Sequence, residues 1–439
     1  MSEGKIFAVT GNPILHSRSP EIFRAAFKVL GLDNYYYLRF ASSRVEEIVQ
    51  AMRETIVYGF NVTSPFKEKV IPLLDDLDDG ARKIGAVNLI VNEGGRLKGF
   101  NTDVMGVEQA FLENGVTLAG KKAVVLGAGG AAKAAVVALT AADTDVTVMN
   151  RTFKKAEFLA ERFTCRASLM EDLRKEIAKA DILVSCLSAG IDIVPVHSLR
   201  QGLVVLDANY GETSALVREG ARNGCTMIDG REWLLYQGVK AFTFFTGIQK
   251  PPIEAMRKTL YEKKEFKKRN IALIGFMGAG KSTVGRHLAK KMKMTFIDID
   301  SEIEKNNKSS IEEIFKHNGE EAFRKMEAHE IERVAGMTGR VISCGGGAVL
   351  DKDSMNYLRK YCIVIWLWAG VETILKRTAD NKARPLLNVN DKRSEIETLL
   401  TFRKPYYADA SDLFISSDYK KPEEIAARIY NESNKFLTN

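Results

Sequence analysis

The chain has 439 residues, 45% of them apolar, which is too long for one ordinary core and predicts two or three domains. Its net charge of +8 is mild for this length, and no apolar run reaches the roughly 18 residues needed to span a bilayer, so no membrane segment is expected. Five scattered cysteines without a C-x-x-C pair argue against a disulfide framework or a zinc site and fit a reducing, cytoplasmic setting.

The N-terminus, "MSEGKIFAVTGNP", has no basic-then-apolar leader pattern and runs straight into a strand. "KIFAVTG" (5–11) reads as that strand, "PEIFRAAFKVLG" (20–31) as an amphipathic helix closed by Gly31, "NYYYLRF" (34–40) as a second strand and "RVEEIVQAMRE" (44–54) as a second helix. "GFNVTSPFKEKVIPLL" (59–74) reads as strand, loop and helix. This β-α-β-α rhythm predicts a mainly parallel sheet.

"AVVLGAGGAAKAAVVAL" (123–139) combines a short apolar strand, a glycine turn and an apolar helix. Its turn, Gly127-Ala128-Gly129-Gly130-Ala131 followed by Ala132, carries the dinucleotide fingerprint with alanine in third place. Gly127 permits the tight turn, Gly129 lets backbone approach a pyrophosphate, and the helix N-terminus faces the phosphates. An NAD enzyme usually ends the next strand in a carboxylate that holds the ribose. Here Asn150, Arg151 and Thr152 stand there, followed by Lys154 and Lys155. The alternative reading is an exposed helix start, but a cation among polar donors suits a 2′-phosphate, and NADP(H) is the expected cofactor.

The basic run "EKKEFKKRN" (262–270) reads as a solvated helix end and joint. No nucleic-acid-binding module surrounds it, so no nucleic-acid partner is expected.

Beyond the joint, "NIALIGFMGAGKSTVGRHLAKKM" (270–292) is strand, glycine loop and helix, and fits G-x-x-x-x-G-K-[ST]. Backbone N–H groups of Gly278, Ala279, Gly280 and the residues through Thr283 would cradle the phosphates of ATP. Lys281 would reach the β- and γ-phosphates, and Ser282 would ligate Mg2+. "TFIDIDSEIE" (295–304) reads as a strand ending in Asp298-x-Asp300, and alternation would put both carboxylates on one side. A helix N-cap at Asp300 or Ser301 could coexist with that arrangement. "GEEAFRKMEAHE" (319–330) puts Arg324 on a helix start, and "RVISCGGGAVL" (340–350) runs a strand into Gly345, Gly346 and Gly347, where backbone can approach a small ligand. "KRTADNKARPLLNVND" (376–391), with Arg377 and Arg384, has the polar character of a lid over a triphosphate. "FRKPYYADA" (402–410) supplies Arg403.

Two resemblances organise these motifs. Over about residues 5–260 the chain resembles the shikimate dehydrogenase family, through "HSRSP" (16–20), "NVTSPFK" (61–67), "GAVN" (85–88), "GFNTD" (99–103), the glycine turn, "NRT" and "LLYQG" (234–238) in that order. The resemblance implies that Ser17 and Ser19 hold the carboxylate of a small cyclohexene acid and that Thr63, Asn88 and Gln237 bind its hydroxyls. It makes Lys67 and Asp103 the catalytic pair, although in isolation Asp103 also suits a helix cap. The chain departs from the family at Phe23-Arg24, at Leu89, at Ser185-Cys186-Leu187 and after Tyr210, where the family's proline is missing. Residues 270–439 resemble shikimate kinase, with its loop, Asp-x-Asp, Phe-Arg-x-x-Glu, Gly-Gly-Gly, lid arginine and late arginine. By that resemblance Arg324 and Arg403 clamp the shikimate carboxylate, Asp300 binds its hydroxyls and the three glycines line the pocket. Arg384 meets the transferring phosphate, Arg377 packs near adenine, and Asp298 helps place magnesium.

The expected architecture is α/β: a two-lobed dehydrogenase followed by a phosphate-loop kinase. The substrate lobe would take residues 1–104 and 238–262, the NADP-binding Rossmann lobe 105–237, and the kinase 268–439. The expected function is reduction of 3-dehydroshikimate to shikimate, then phosphorylation to shikimate 3-phosphate. The rival readings are a quinate-type dehydrogenase, or a non-catalytic shikimate-sensing half, fused to a small-molecule kinase. The presence of both Lys67 and Asp103 argues against a sensor.

Overall fold

Strands and helices alternate through the whole chain. The computed structural model describes residues 4–54, 57–188, 190–210, 214–262, 266–379, 391–418 and 420–438. The first strands are β1 (Lys5–Gly11), β2 (Tyr35–Ala41), β3 (Gly59–Val62), β4 (Asp76–Leu77), β5 (Leu89–Glu93) and β6 (Arg96–Phe100). Next come β7 (Lys122–Leu126), β8 (Asp145–Met149), β9 (Arg166–Ser168), β10 (Ile182–Ser185), β11 (Val204–Asp207) and β12 (Thr226–Ile228). The last are β13 (Asn270–Ile274), β14 (Thr295–Asp298), β15 (Arg340–Ser343), β16 (Cys362–Trp368) and β17 (Leu413–Ser416). Two compact units result: one of Met1–Pro20, Asp33–Val57 and Lys263–Asn439, the other of Glu21–Leu32 and Tyr58–Glu262.

In the second unit, β7–β12 form a parallel sheet in the order β12-β11-β10-β7-β8-β9. The order reverses between β7 and β10, which is where doubly wound sheets bind ligands. Strand alternation sends Val125, Val146 and Val184 to one core with Ala132, Ala135 and Phe111. Val124, Leu126, Leu183 and Val205 pack into another with Leu173 and Ile177. The helix Asp103–Glu113 lies so close to the helix Gly230–Thr246 that a Cβ on Gly106 would come within 2.7 Å of the Trp233 ring.

The same unit holds β3-β5-β6-β4, where the otherwise parallel strand arrangement is interrupted locally. β3 with β5 and β5 with β6 are antiparallel, and only β4–β6 is parallel. The cause is local: Gly94 and Gly95, at φ +63° and +94°, close a tight hairpin that a β-α rhythm hides. The helix expected at the end of residues 59–74 is also absent, and only a single 3-10 turn, Ile71–Leu73, forms. Pro72 has no N–H to give the carbonyl one helical turn back, at Glu68.

In the first unit the parallel order is β14-β15-β13-β16-β17-β2-β1. β13 and β16 are buried along their whole length, as apolar runs in a sheet covered on both faces must be. β17 meets β2 at Phe414 and Phe40, whose rings stack at 4.5 Å and 26°. No helix among the described residues is long and apolar enough to cross a membrane.

Phe111 is fully buried in the first of the two cores named above. Phe111→Ala should cost about 3–5 kcal/mol, seen as an earlier transition in urea unfolding followed by far-UV circular dichroism.

Candidate active sites

In the second unit the dinucleotide turn forms as its sequence predicts. Gly127 follows β7 at φ +113°, and a Cβ there would lie 3.2 Å from the Cys186 carbonyl at the end of β10. Gly129 caps the helix Gly130–Ala141, and a Cβ added to it would meet open space. Gly130 faces Lys67: an added Cβ would sit 3.1 Å from the lysine's Cδ. Past β8, Arg151, Thr152 and Lys154 are exposed, while the Asn150 amide donates to the Thr152 carbonyl at 3.0 Å and shapes the start of the helix Phe153–Phe163.

Lys67 is no ordinary surface lysine. Its Nζ lies 2.5 Å from Asp103 Oδ2, and the two side chains are 16% and 7% exposed. Asp103 is the first residue of its helix rather than the cap. Thr102 takes the cap position, which leaves the carboxylate to the lysine. Around the pair, Asn88 donates to Thr102 Oγ1 at 3.0 Å and to Gln237 Oε1 at 3.5 Å, and its Oδ1 accepts from Thr102 N at 2.8 Å. Thr63 is half-buried at the end of β3, and its carbonyl accepts from Phe66 N. The structure therefore groups Asn88 with Gln237, and Lys67 with Asp103 and Gly130. Thr102 also belongs to this network and was missed, although it stands inside the quoted "GFNTD".

Ser17 and Ser19 belong to the first unit. Both are buried, with their hydroxyls 3.3 Å apart. Ser19 is already in the helix Ser19–Val29, so only Ser17 is a loop residue.

The phosphate loop lies in that unit too. Gly275 has φ +143° and any Cβ on it would collide with the Leu367 carbonyl of β16. Gly278 and Gly280 are also left-handed, and the helix Lys281–Met292 starts directly after them. Lys281 Nζ donates to the carbonyls of Gly275 at 2.8 Å and Phe276 at 3.1 Å. Ala279 is buried and Thr283 is exposed. Ser282 Oγ donates to Asp298 Oδ2 at 2.6 Å and lies 3.3 Å from Ser343 Oγ. A hydroxyl and a carboxylate side by side suit a hard cation that keeps most of its waters. Arg377 ties the loop to the end of β17, donating to the Gly278 carbonyl at 3.1 Å and the Ser417 carbonyl at 2.8 Å. Arg384 lies outside the described residues.

One expectation is corrected here. Asp298 and Asp300 do not share one strand: β14 ends at Asp298, which takes the cap position of the helix Ile299–Asn307. Ile299 and Ile303, four apart, are both buried, so the helical period governs from that point. Asp300 still reaches the three glycines, 3.1 Å from where a Gly345 Cβ would lie. Arg324 stands just after Gly319 (φ +78°, ψ 171°), which breaks the helical run Ile311–Ala335. A Cβ on Gly347 would lie 2.5 Å from the Arg324 guanidinium. Arg403, 4% exposed, donates to the Gly346 carbonyl at 3.3 Å, and Tyr407, one turn later, donates to the same oxygen at 2.6 Å. Asp300, Arg324, Arg403 and the glycines thus form one polar pocket.

Glu327 completes that pocket and was not singled out, though it is the glutamate of Phe-Arg-x-x-Glu. It is 2% exposed, accepts from Arg324 Nη1 at 2.7 Å, and its Oε1 is the atom that a Gly345 Cβ would strike.

Family models match the chain in four stretches: "Shikimate dehydrogenase substrate binding domain" over residues 9–90, "Shikimate / quinate 5-dehydrogenase" over 109–206, "Shikimate 5'-dehydrogenase C-terminal domain" over 230–261 and "Shikimate kinase" over 277–434. The shikimate dehydrogenase (NADP(+)) of Methanosarcina mazei is 36% identical over 275 residues, 59% of this chain and 98% of that protein. That of Pyrococcus furiosus is 37% identical over 261 residues, 58% and 95% of the two chains. Among solved structures, shikimate 5-dehydrogenase from Thermus thermophilus in complex with NADP(H) and shikimate superposes with a TM-score of 0.54 at 33% identity, covering 58% of this chain and 98% of that one. A Rossmann-type dehydrogenase and a phosphate-loop kinase therefore follow one another in a single polypeptide. The chain belongs to the shikimate dehydrogenase family and carries a shikimate kinase domain behind it, which makes it a bifunctional enzyme of the shikimate pathway.

Burial, reinforced by the Asp300 carboxylate, pushes the Glu327 carboxyl above the ordinary glutamate range, against the pull of Arg324 and Arg403. Below about pH 4.3 the group is protonated folded or unfolded and adds no strain. As pH rises through its raised folded value, the native chain must carry a buried charge and loses stability. Glu327→Gln has no charge to bury. Its melting temperature relative to the parent should therefore climb as pH rises above the ordinary glutamate range, and a pH-independent difference would contradict this.

Proposed function

We propose that the front half reduces 3-dehydroshikimate to shikimate with NADPH and that the back half phosphorylates the shikimate hydroxyl just formed. The observation that carries this reading is the Lys67–Asp103 pair at 2.5 Å, packed against Gly130 of the dinucleotide turn. On this reading residues 1–104 and 238–262 serve the substrate, 105–237 the cofactor and 268–439 the kinase reaction.

NADPH supplies the hydride, and the open face above Gly129 and the cation Arg151 fit its pyrophosphate and 2′-phosphate. Ser17 and Ser19 hold the substrate carboxylate, while Thr63, Asn88 and Gln237 hold its hydroxyls. Lys67 donates a hydrogen bond to the carbonyl oxygen and passes it a proton as negative charge develops there. Asp103 keeps the ammonium aimed at that oxygen and balances its charge.

In the kinase half Arg324 and Arg403 take the shikimate carboxylate in planar forks, and Asp300 orients the accepting hydroxyl. ATP lies over Gly278–Thr283, with Lys281 and Arg384 on the transferring phosphate and Arg377 beside adenine. Ser282 and Asp298 hold Mg2+, which neutralises phosphate charge. The protein's share is position and electrostatics, as phosphoryl transfer requires. The five cysteines are all free thiols, and a cytoplasmic location belongs to the same reading.

A one-pot reaction of 3-dehydroshikimate, NADPH and Mg-ATP, followed by mass spectrometry, should yield shikimate 3-phosphate only when both NADPH and ATP are present. Lys67→Met should lower dehydrogenase kcat by about 10²- to 10⁴-fold and leave phosphorylation of added shikimate intact. Faster turnover of quinate than of shikimate in the reverse direction would displace the substrate assignment. Arg151→Ala should raise the KM for NADPH by about 10-fold, the loss of one charged contact to the 2′-phosphate, with little change in the KM for NADH.

A further inference from the structure

The loop between β1 and the helix at Ser19 presents Ser17 from a buried backbone: Ile14 and Leu15 are 0% and 3% exposed. Buried N–H groups need partners, and these two find theirs more than 400 residues away. Ile14 N and Leu15 N each donate at 2.8 Å to Glu432 Oε2, on the helix Pro422–Ser433 at the end of the kinase domain. On the same helix Arg428 Nη2 donates to the Gly11 carbonyl at 3.0 Å, and Arg428 Nη1 donates to the Asn12 side chain. Arg428 and Glu432 pair with each other at 2.6 Å, their side chains 8% and 0% exposed. A buried ion pair repays its desolvation only when its remaining hydrogen bonds are met. Here the loop supplies those of Glu432 Oε2 and of both terminal Arg428 nitrogens, leaving Arg428 Nε without one among the described residues. Farther along the loop, Arg39 Nε and Nη2 hold the Ser17 carbonyl at 2.9 and 2.6 Å, while its Nη1 reaches the carbonyl of Asp412, next to β17, at 3.4 Å.

We propose that Glu432 and Arg428 of the kinase domain are positioning residues for the dehydrogenase reaction, setting the loop that brings Ser17 and Ser19 to the substrate carboxylate. The inference rests on the reading of those serines as substrate ligands. Without the Glu432 charge, the two buried amides keep only a weaker neutral acceptor and the buried guanidinium loses its ion-pair partner, so the loop shifts. Substrate binding then weakens, while the Lys67–Asp103 pair is unaffected.

The test is steady-state kinetics on full-length Glu432→Gln, Glu432→Asp, Ser17→Ala and the Glu432→Gln/Ser17→Ala double variant. Glu432→Gln should raise the KM for 3-dehydroshikimate about 10-fold, the scale of one misplaced hydrogen bond to a charged group, with kcat within about 3-fold. The KM for NADPH and phosphorylation of added shikimate should stay at parental values, the latter showing that the helix is folded. Glu432→Asp, which keeps the charge but shortens its reach, should fall between parent and Gln, and it is the variant to read if Gln does not fold. The effect of the double variant should fall short of the sum of the two single effects, because Glu432 acts in part through Ser17. A raised KM in Ser17→Ala with a parental KM in both Glu432 variants overturns the positioning role alone. An unchanged KM in Ser17→Ala overturns the serine assignment and this inference with it. Parallel losses of dehydrogenase kcat and kinase activity in both Glu432 variants show a merely structural role and also overturn it.

Discussion

Both catalytic halves are organised around one backbone constraint: a strand that turns sharply at a positive φ, close against its neighbour, disfavours any side chain. Gly127 sits against the carbonyl of Cys186 at the end of β10, and Gly275 against the carbonyl of Leu367 in β16. Each turn is left-handed, and each is followed within a few residues by a helix whose first N–H groups have no partner in that helix. The rest of each site is placed from there. Lys67 packs on Gly130 in one, and Ser282 meets Asp298 in the other. Phosphate-bearing ligands need such amide-lined turns, and parallel sheets provide them at their carboxyl ends.

The two sites treat charge differently. The Lys67–Asp103 pair keeps a little contact with water. In the kinase pocket Glu327 is almost wholly buried, and its carboxyl is pushed up even with Arg324 beside it. There, a carboxyl that resists ionising competes less for the neighbouring guanidinium groups of Arg324 and Arg403.

Much of this was legible because it is local. Strand, glycine turn and helix occupy consecutive residues at 123–139 and again at 270–292, and turn chemistry specifies them without help from the rest of the chain. Failures came where two local signals competed. Pro72 ends a helix before it begins, and Ile299 and Ile303 impose a helical period where strand alternation alone would run on to Asp300. The placement of Asn88 beside Gln237, 149 positions apart, and of Glu432 beneath Ile14, 418 apart, leaves no trace in spacing or composition. Contacts of that kind depend on the finished topology. Glu327 lies between these cases: its motif was visible, but its burial was not.

The meeting of β17 with β2 bears on how such a chain could be divided. An outermost strand normally has to be blunted against pairing with strangers. Here each covers the other, with Phe40 stacked on Phe414 and the Lys420–Glu47 ion pair, 2.7 Å long and nearly dry, closing the seam. Splitting the gene between its two enzymes would leave each product with an exposed apolar strand edge and would part Lys420 from Glu47. A lineage that separated them would have to redesign both surfaces at once, so the seam makes the fusion hard to undo.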